Sequence, residues 1–384
     1  MTASWKSRFS RFIGAQPDRL LFAAHSHHPW PDVTFEAQQQ AWLDAARYAD
    51  TKWDRVFGEL IPRAQAHVAR LLRLPDAATI CFAPSTHELV VRLLSALPAN
   101  PRVLTTDSEF HSFARQMKRL EEANAARVDR VPVAPYETFA ARFKAAAARG
   151  GHDLVCFSHC FYNTGFLVED PVALVEAVAD PQTCVLVDGY HSFMAVPIDF
   201  SRVAHRAFYT AGGYKYAMTG EGACFLHCPP GVAERPVNTG WFASFGTLTA
   251  AQAGAVPYAQ GGQRFMGGTF DPAPLYRFNA VQQWLLEDGI TVEAIRAHVL
   301  RLQARFLELR DRDGLLPDAE LVPPAGTPRG NFFVLRHARA RAWHGALLAA
   351  GVMTDCRDDR LRIGFGLHQD EGDVDALALR LLPL

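Results

Sequence analysis

The sequence has no excess of charge of either sign. Its 39 basic and 40 acidic residues give a formal net charge of -1 over 384 residues, whereas nucleic-acid binding depends on a basic surplus that neutralises phosphates. This balance argues against a nucleic-acid partner and favours a small uncharged or zwitterionic ligand. No stretch approaches the length of about 20 apolar residues that a membrane helix needs, so none is expected.

Targeting and nucleotide-binding signatures are also missing. Residues 1–22 carry charges among their apolar residues and contain no apolar stretch of signal-peptide length. Neither GxGxxG before a helix nor a GxxxxGK loop followed by Ser or Thr occurs, which disfavours a dinucleotide or a nucleoside triphosphate. The seven cysteines are odd in number and show no CxxC spacing. That usage disfavours a structural zinc site and predicts reduced thiols in a cytoplasmic protein.

The sequence does contain a regular alternation of apolar runs and amphipathic stretches. From residue 79 onward, short apolar runs such as 79–84, 102–107 and 183–188 alternate with helical patterns. This alternation predicts an α/β fold with βαβ units and a mostly parallel sheet between helices. The runs are nearly continuous in apolar residues, as expected of strands buried on both faces. Ligands of such sheets bind beyond the carboxyl ends of the strands.

A change in composition divides the chain. Residues 229–274 are rich in Gly and Pro and show little periodicity, and the patterns that follow predict a smaller C-terminal α/β domain. We therefore predict an N-terminal segment, 1–48, that packs with the small domain. A large domain is predicted at 49–265 and the small domain at 266–384.

One lysine stands in an unusual context. Lys215 lies between two tyrosines in the stretch TAGGYKYAMTGEG, residues 210–222, and apolar runs on both sides indicate a loop between two buried strands. Glycines allow the backbone to approach another group closely. A lysine in partly apolar surroundings loses its charge more readily, which makes its amine nucleophilic. Lys215 is therefore a candidate functional residue.

Two further strand ends carry polar residues. Ser85 and Thr86 open a helical pattern after the run 79–84, and Asp188 ends the run 183–188. Hydroxyl side chains at the start of a helix can cap that helix, or they can bind phosphate together with its free backbone N–H groups. A buried acid can keep a ring nitrogen protonated. Together with an amine that forms a Schiff base, these groups are what pyridoxal phosphate requires.

Six motifs occur in an order typical of one family. They are Tyr162-x-Thr164-Gly165, Asp188-x-x-His191, Tyr214-Lys215-Tyr216, Gly240-Trp241, Arg264-Phe265 leading to Gly268-Thr269 and Pro272, and Asp355-x-Arg357 before Arg362-Ile363. On these motifs the sequence resembles the class V group of fold-type-I pyridoxal-phosphate enzymes, and most closely kynureninase. The resemblance implies a mostly parallel seven-stranded sheet in the large domain and a homodimer with its site at the subunit interface.

The resemblance also implies a role for each matched residue. Lys215 would form the Schiff base, Tyr214 would assist proton transfer, and Asp188 would pair with the pyridine nitrogen. Arg362 would bind the substrate α-carboxylate, for which a planar guanidinium is a suitable donor. The other residues implied around the cofactor are Ser85, Thr86, Phe110, His191, Trp241 and, from the second subunit, Thr269.

The implied activity is hydrolysis of the Cβ–Cγ bond of kynurenine or a related γ-keto amino acid. Its products would be alanine and an aryl acid such as anthranilate. Other class V enzymes are the alternatives, either an aminotransferase or a cysteine desulfurase or lyase. Cys356 motivates the last of these, because it lies six residues before Arg362.

The run HSHHP, His25 to Pro29, replaces a turn that kynureninases use in their substrate site. His27 and His28 are therefore candidates for contacts with the substrate. A remote alternative is a metal-dependent hydrolase, because an HxH pair after an apolar run can bind a divalent metal. Its further ligands would be His159, His191 and Asp188.

Overall fold

The structure of the protein, a computed structural model, is described for residues 4–247, 254–382 and 384. The strands in these residues are β1 (Leu20–Leu21), β2 (Ile80–Ala83), β3 (Arg102–Thr106), β4 (Arg127–Val131), β5 (Leu154–Ser158), β6 (Cys184–Asp188), β7 (Phe208–Ala211), β8 (Cys224–His227), β9 (Glu320–Val322), β10 (Phe332–Arg336), β11 (Val352–Met353), β12 (Asp355–Arg357) and β13 (Arg360–Gly364).

The α-helices in the same residues are α1 (Ser10–Gly14), α2 (Val33–Tyr48), α3 (Lys52–Arg55), α4 (Ile61–Leu72), α5 (Thr86–Leu94), α6 (His111–Glu122), α7 (Tyr136–Ala148), α8 (Pro171–Glu176), α9 (Ala273–Glu287), α10 (Val292–Asp313), α11 (Ala340–Ala349) and α12 (Glu371–Leu381). None of these described helices combines the length and the apolar character that crossing a membrane requires.

A seven-stranded sheet forms the centre of the large core. Its strand order is β2-β8-β7-β6-β5-β3-β4. The strands from β4 to β7 pair in parallel, whereas β8 runs antiparallel to both of its neighbours. Every residue of β2, β5, β7 and β8 is buried, as their apolar sequences predict. The predicted α/β fold with a mostly parallel seven-stranded sheet is confirmed.

A second core surrounds an antiparallel sheet of order β12-β13-β10-β9. It extends from Val299 in α10 to Leu381 in α12 and includes Phe22 from the N-terminal segment. The strand β1 pairs in parallel with β11, which joins this segment to the C-terminal part of the chain. In contrast, Phe9 belongs to the large core. The N-terminal segment therefore packs against both cores.

Helix α9 follows the predicted boundary at residue 265 but packs into the large core. Leu275, Phe278 and Val281 are buried there, and α9 has extensive contacts with α2. The predicted position of the boundary stays a prediction. The side chains that fill the second core begin later in the sequence, in α10.

The irregular segment 229–274 contains two short 3-10 helices, Trp241–Thr247 and Gly261–Phe265. Its residues 248–253 lie outside the described part of the chain. The buried guanidinium of Arg264 stabilises the start of this segment, because its Nη2 donates hydrogen bonds to the carbonyls of Pro229 at 2.7 Å and Val232 at 2.9 Å. Arg264, which belongs to the family motif, therefore orders the backbone of this segment.

At the end of β6, the backbone of Gly189 lies very close to the side chain of Tyr209. A Cβ atom added to Gly189 would lie 1.9 Å from the hydroxyl oxygen of Tyr209 on β7. The Tyr209 ring is fully buried between Phe200 and Phe225, so it has little room to move. The loop that carries Asp188 and His191 therefore depends on a glycine at this position.

We expect Gly189→Ala to destabilise the protein by about 1–3 kcal/mol, the usual cost of overpacking a core. The matched control is Gly345→Ala in the middle of α11, where an added Cβ meets nothing within 4 Å. Alanine favours a helix over glycine by up to about 1 kcal/mol, so this variant should be equally or more stable. Thermal unfolding of both variants tests the difference, and equal midpoints would contradict it.

Candidate active site

The carboxyl ends of three neighbouring parallel strands form the floor of the candidate site. Asp188 is the last residue of β6, and it pairs in register with Ser158 on β5 and Thr210 on β7. The loops that follow β6 and β7 carry His191 and Lys215. The fold thus brings three residues predicted from two separate motifs to one edge of the sheet, where α/β proteins bind ligands.

The Lys215 amine is enclosed by aromatic rings and a histidine. Its side chain is buried, and Nζ lies 2.9 Å from Nε2 of His191. The ring centroids of Tyr190, Phe110 and Tyr214 lie 4.5, 5.3 and 5.5 Å from Nζ. Burial lowers the pKa of Lys215 to about 7, although Asp188 favours the charged form. Near neutral pH, much of this amine is therefore uncharged and nucleophilic.

His191 is also a buried ionisable group, and Asp188 is a partly buried one. Burial and then Lys215 lower the pKa of His191 well below its usual value, so this imidazole is neutral. Burial raises the pKa of Asp188, whereas a hydrogen bond from the backbone N–H of Tyr190, at 2.9 Å from Oδ1, favours its charged form. A carboxylate in this position can accept a hydrogen bond from a protonated ring nitrogen.

Three predicted cofactor residues line one pocket. Thr86, Phe110 and Asp188 surround it together with Glu109 and Thr210. Thr86 is the first residue of α5, whose free backbone N–H groups carry partial positive charge. Ser85 caps this helix, because its Oγ accepts a hydrogen bond from the Glu88 N–H at 3.3 Å. The structure therefore assigns Ser85 a capping contact and leaves Thr86 facing the pocket.

Arg362 extends from β13 toward the same region. Its Nη1 donates to the Tyr162 carbonyl at 2.6 Å and its Nη2 to the Asp355 carboxylate. Its Nε is buried and has no hydrogen-bond partner among the described residues. A buried donor without a partner is costly, and a carboxylate ligand is a fitting acceptor for it.

The HSHHP histidines are placed differently from one another. His27 is exposed, stacks on Tyr214 with ring centroids 5.0 Å apart, and has Nε2 3.6 Å from the Glu221 carboxylate. His28 is buried, its Nδ1 hydrogen-bonds the Pro29 carbonyl at 2.8 Å, and burial lowers its pKa to about 4. This placement favours a packing role for His28, whereas His27 lies beside a predicted site residue.

His25, which the substrate hypothesis did not include, is the histidine of this run that lies beside Arg362. It is fully buried, and its Nε2 is 3.8 Å from Oδ2 of Asp355. Sequence position alone cannot reveal this, since neighbouring residues in a turn point in different directions. In the sequence, His25 is marked merely as one of the three histidines in the run HSHHP.

The ligand set of the metal hypothesis is not gathered in the structure. His25 is buried beside Asp355, whereas the His27 ring is exposed over Tyr214. Within residues 4–247, 254–382 and 384, no group of three or more His, Cys, Asp or Glu side chains is arranged to hold a metal ion.

Trp241 and Thr269 lie on an exposed surface. The Trp241 side chain contacts Phe242 and Phe245 in its own 3-10 helix and is 44% exposed. Thr269 is also exposed. The contacts described for Trp241 thus lie outside the Lys215 cluster, so its predicted cofactor role and that of Thr269 depend on the expected second subunit.

Glu109 is a buried acid that the sequence hypothesis left without a role. Its carboxylate accepts hydrogen bonds from the Thr106 hydroxyl at 2.6 Å and from the Ser158 hydroxyl at 2.5 Å. Burial raises its pKa to about 7, and the charge of Asp188 adds to the effect. In the sequence, Glu109 is marked solely by its position between the end of β3 and the start of α6.

Comparison with known proteins identifies the family. A model described as aminotransferase class V matches residues 39–316, which is more than half of the chain. The chain belongs to the class V aminotransferase family. Pyridoxal phosphate is the cofactor of this family, which confirms the predicted cofactor. No curated protein sequence matches the chain.

Solved structures share the fold of this class V chain at low sequence identity. A complex of the cystine C–S lyase C-DES with its product cysteine persulfide is 20% identical, with a TM-score of 0.78 over 97% of this chain and 99% of that one. The apo cysteine desulfurase of Thermococcus onnurineus NA1 is 14% identical, with a TM-score of 0.78 over 100% and 98%. The Escherichia coli desulfurase CsdA is 15% identical, with a TM-score of 0.77 over 99% and 98%.

The buried groups of this class V enzyme match the chemistry of pyridoxal phosphate. The Lys215 amine, whose pKa is about 7, suits the cofactor aldehyde, and the partly buried carboxyl of Asp188 suits the pyridine nitrogen. Thr86 and the start of α5 suit the phosphate, and the Phe110 ring, which shares the pocket, suits the face of the pyridine ring. The residues present therefore fit the cofactor of the family.

The pKa of Lys215 predicts selective labelling at neutral pH. When protein prepared without cofactor is treated with pyridoxal phosphate and borohydride, we expect the label mainly on Lys215. Its yield should fall as the pH decreases through about 7, because protonation removes the nucleophilic electron pair. Peptide mass spectrometry locates the label, and the exposed Lys118 is the internal control. Equal labelling of both lysines would contradict the prediction.

Proposed function

We propose that this class V enzyme cleaves a bond to the β-carbon of an α-amino acid. The observation that supports this most directly is that the Lys215 amine and Arg362 belong to one cluster of side chains, in which the buried Nε of Arg362 has no hydrogen-bond partner among the described residues. Phe110 and Tyr162 connect them, because the Phe110 ring lies 5.3 Å from Nζ of Lys215 and 5.4 Å from the Tyr162 ring. The Tyr162 carbonyl accepts a hydrogen bond from Arg362, whose charge also lowers the pKa of Lys215. A base and a carboxylate donor so placed suit proton removal from the Cα of an amino acid.

Each site residue has a definite task in this proposal. Thr86 would hold the cofactor phosphate, Asp188 would pair with the pyridine nitrogen, and Phe110 would stack on the ring. Pyridoxal phosphate, when bound, supplies a conjugated system that accepts the electron pair released at the substrate Cα. Arg362 would bind the α-carboxylate and orient the Cα–H bond toward Lys215.

Lys215 and Tyr214 would divide the proton transfers. Lys215 accepts the α-proton in its neutral form, so activity should increase as the pH rises through about 7. Burial raises the pKa of Tyr214 to about 12, so its hydroxyl stays protonated and can donate a hydrogen bond. The ring of His191 next to Lys215 is neutral and can accept a hydrogen bond from the amine.

A sulfur-containing amino acid is our first candidate substrate. The structural neighbours include a C–S lyase and cysteine desulfurases, which supports cleavage of a Cβ–S bond. Cys356, however, is a poor candidate for a sulfur acceptor. It pairs with Leu361 while Asp355 pairs with Arg362, so the thiol lies on the opposite sheet face and packs against the second core. This arrangement favours a lyase without a protein thiol.

Kynureninase-like hydrolysis is the second candidate, and two observations favour it. The family motifs resemble kynureninase, and aromatic side chains cluster near Lys215. The Tyr162 ring lies 4.8 Å from the His111 ring and 5.4 Å from the Phe110 ring. Such a cluster can stack on the aryl group of kynurenine, after which hydrolysis would release alanine and anthranilate.

We also propose a homodimer. The exposed Thr269 would then contribute to the phosphate site of the partner subunit, as the family resemblance implies, and the exposed Trp241 could do the same. Their location on one exposed surface of the irregular segment supports this arrangement.

A direct product assay separates the two substrate classes. We expect the holoenzyme to release pyruvate and persulfide from cystine if it cleaves the Cβ–S bond, and alanine with anthranilate from kynurenine if it cleaves the Cβ–Cγ bond. 3-Hydroxykynurenine and cysteine complete the set, and the matched inactive control is Lys215→Ala. No product from any of the four compounds would refute cleavage at Cβ for these substrate classes.

Cys356→Ser tests whether a protein thiol takes part. Burial raises the pKa of the Cys356 thiol, which disfavours the reactive thiolate, so we expect this variant to retain roughly the wild-type kcat. The buried Cys184 on β6, changed to Ser, is a control for thiol loss outside the site. Complete loss of activity in Cys356→Ser with intact cofactor binding would favour the thiol-dependent desulfurase instead.

A further inference from the structure

Two buried groups near the substrate site lack hydrogen-bond partners among the described residues. They are both ring nitrogens of His25 and the Nε of Arg362. Asp355 connects them, because one of its oxygens is bound by Nη2 of Arg362 and lies 3.8 Å from Nε2 of His25. At 3.8 Å, the His25 contact is too long for a hydrogen bond. The cluster is therefore incompletely satisfied as it stands.

The His25 ring is held firmly in this position. It stacks on Phe332 with ring centroids 4.6 Å apart and planes inclined by 18°. A Cβ atom on Gly364 would lie 2.2 Å from its Nδ1, so the glycine in β13 makes the space that the ring occupies. The packing of both neighbours thus directs Nε2 toward Asp355.

The guanidinium of Arg362 offers a bidentate edge that is half occupied. Nε and Nη2 lie on the same side of a guanidinium, and a carboxylate binds best to two such donors at once. Asp355 occupies Nη2, and Nε is free of partners among the described residues. A substrate carboxylate that uses both donors would share Nη2 with Asp355, and the repulsion between the two negative charges favours movement of Asp355 away from Nη2.

We propose that His25 receives Asp355 when a substrate carboxylate displaces it from Arg362. The inference rests on the proposed binding of the α-carboxylate at Arg362. A shift of the Asp355 carboxylate by about 1 Å toward His25 would produce a normal hydrogen bond. Asp355 keeps its second partner, Arg357, whose Nε lies 3.6 Å from the other carboxylate oxygen. His25 is thus a positioning residue that makes room for the substrate.

The exchange adds one negative charge to a buried cluster. Without ligand, burial and then the charges of Arg362, Lys215 and Arg357 lower the pKa of His25, so the ring is neutral. The other titratable groups facing it are Asp355 and the neutral His191. A second carboxylate next to His25 favours the protonated ring, so carboxylate binding should take up one proton from solvent, onto His25.

Calorimetry of propionate binding to the holoenzyme tests the proposal. Propionate carries the carboxylate but no amine, so it binds without reacting with the cofactor. Titrations in buffers of different ionisation enthalpy, from pH about 5.5 to about 8, give the number of protons taken up. We expect uptake to approach one proton in the wild type, with Kd increasing up to about tenfold per pH unit. The uptake should be lost in His25→Gln.

Two further variants complete the experiment. His205→Gln changes an exposed histidine before β7, at the other edge of the sheet, and should match the wild type. Asp355→Asn removes the competing carboxylate, so it should bind propionate more tightly, by about tenfold, and without the proton uptake. Unchanged uptake in His25→Gln, or weaker binding in Asp355→Asn, would overturn the proposal. The Asp355→Asn result remains decisive if His25→Gln does not fold.

The outcome is separable from that of the product assays. Propionate has no leaving group, so its binding is independent of which bond the enzyme cleaves. If none of the four amino acids gives a product, propionate binding still reports on Arg362, Asp355 and His25. If the proton uptake is absent, cleavage at Cβ can still be observed with wild-type enzyme. A purely structural role of His25 would lower stability in His25→Gln without changing the proton stoichiometry.

Discussion

The burial of the Lys215 amine constrains the rest of the site. A charged lysine in a fully buried position would need a close counterion, but here aromatic rings and a neutral histidine surround Nζ. The amine therefore has a pKa of about 7 and is ready to react. The nearby Asp188 opposes the effect of burial, because its negative charge raises the pKa of the amine. The other residues of the site must therefore be compatible with an amine that is only partly protonated near neutral pH.

Charge is divided between two sides of Lys215. On the proposed cofactor side, the acids Asp188 and Glu109 line one pocket, and removal from water raises the pKa of both. On the proposed substrate side lies Arg362, whose guanidinium is paired with Asp355. This division suits a ligand that has a protonated ring nitrogen at one end and a carboxylate at the other. A pyridoxal-phosphate enzyme acting on an amino acid requires both.

Much of the site could be predicted from the sequence, because its residues follow strand ends. Asp188 directly ends a buried strand, and Lys215 follows the next one, so the parallel sheet brings them together. The directions of side chains in turns could not be predicted in this way. Among the HSHHP histidines, sequence position favoured His27 and His28, but the structure buries His28 in the core and directs His25 toward Asp355. Consecutive turn residues share no fixed periodicity, so their directions depend on what packs against them.

The sequence alone determined the α/β architecture, the positions of the strands in the seven-stranded sheet and the family, because apolar periodicity and local motifs are properties of neighbouring residues. Only the tertiary structure decided which face of β12 carries Asp355 and which carries Cys356. It also decided that Gly364 opens the space for His25. The placement of His25 depends on contacts with Phe332 and Gly364, which are more than 300 residues away in the chain. Such contacts form only when the N-terminal segment packs onto the C-terminal sheet.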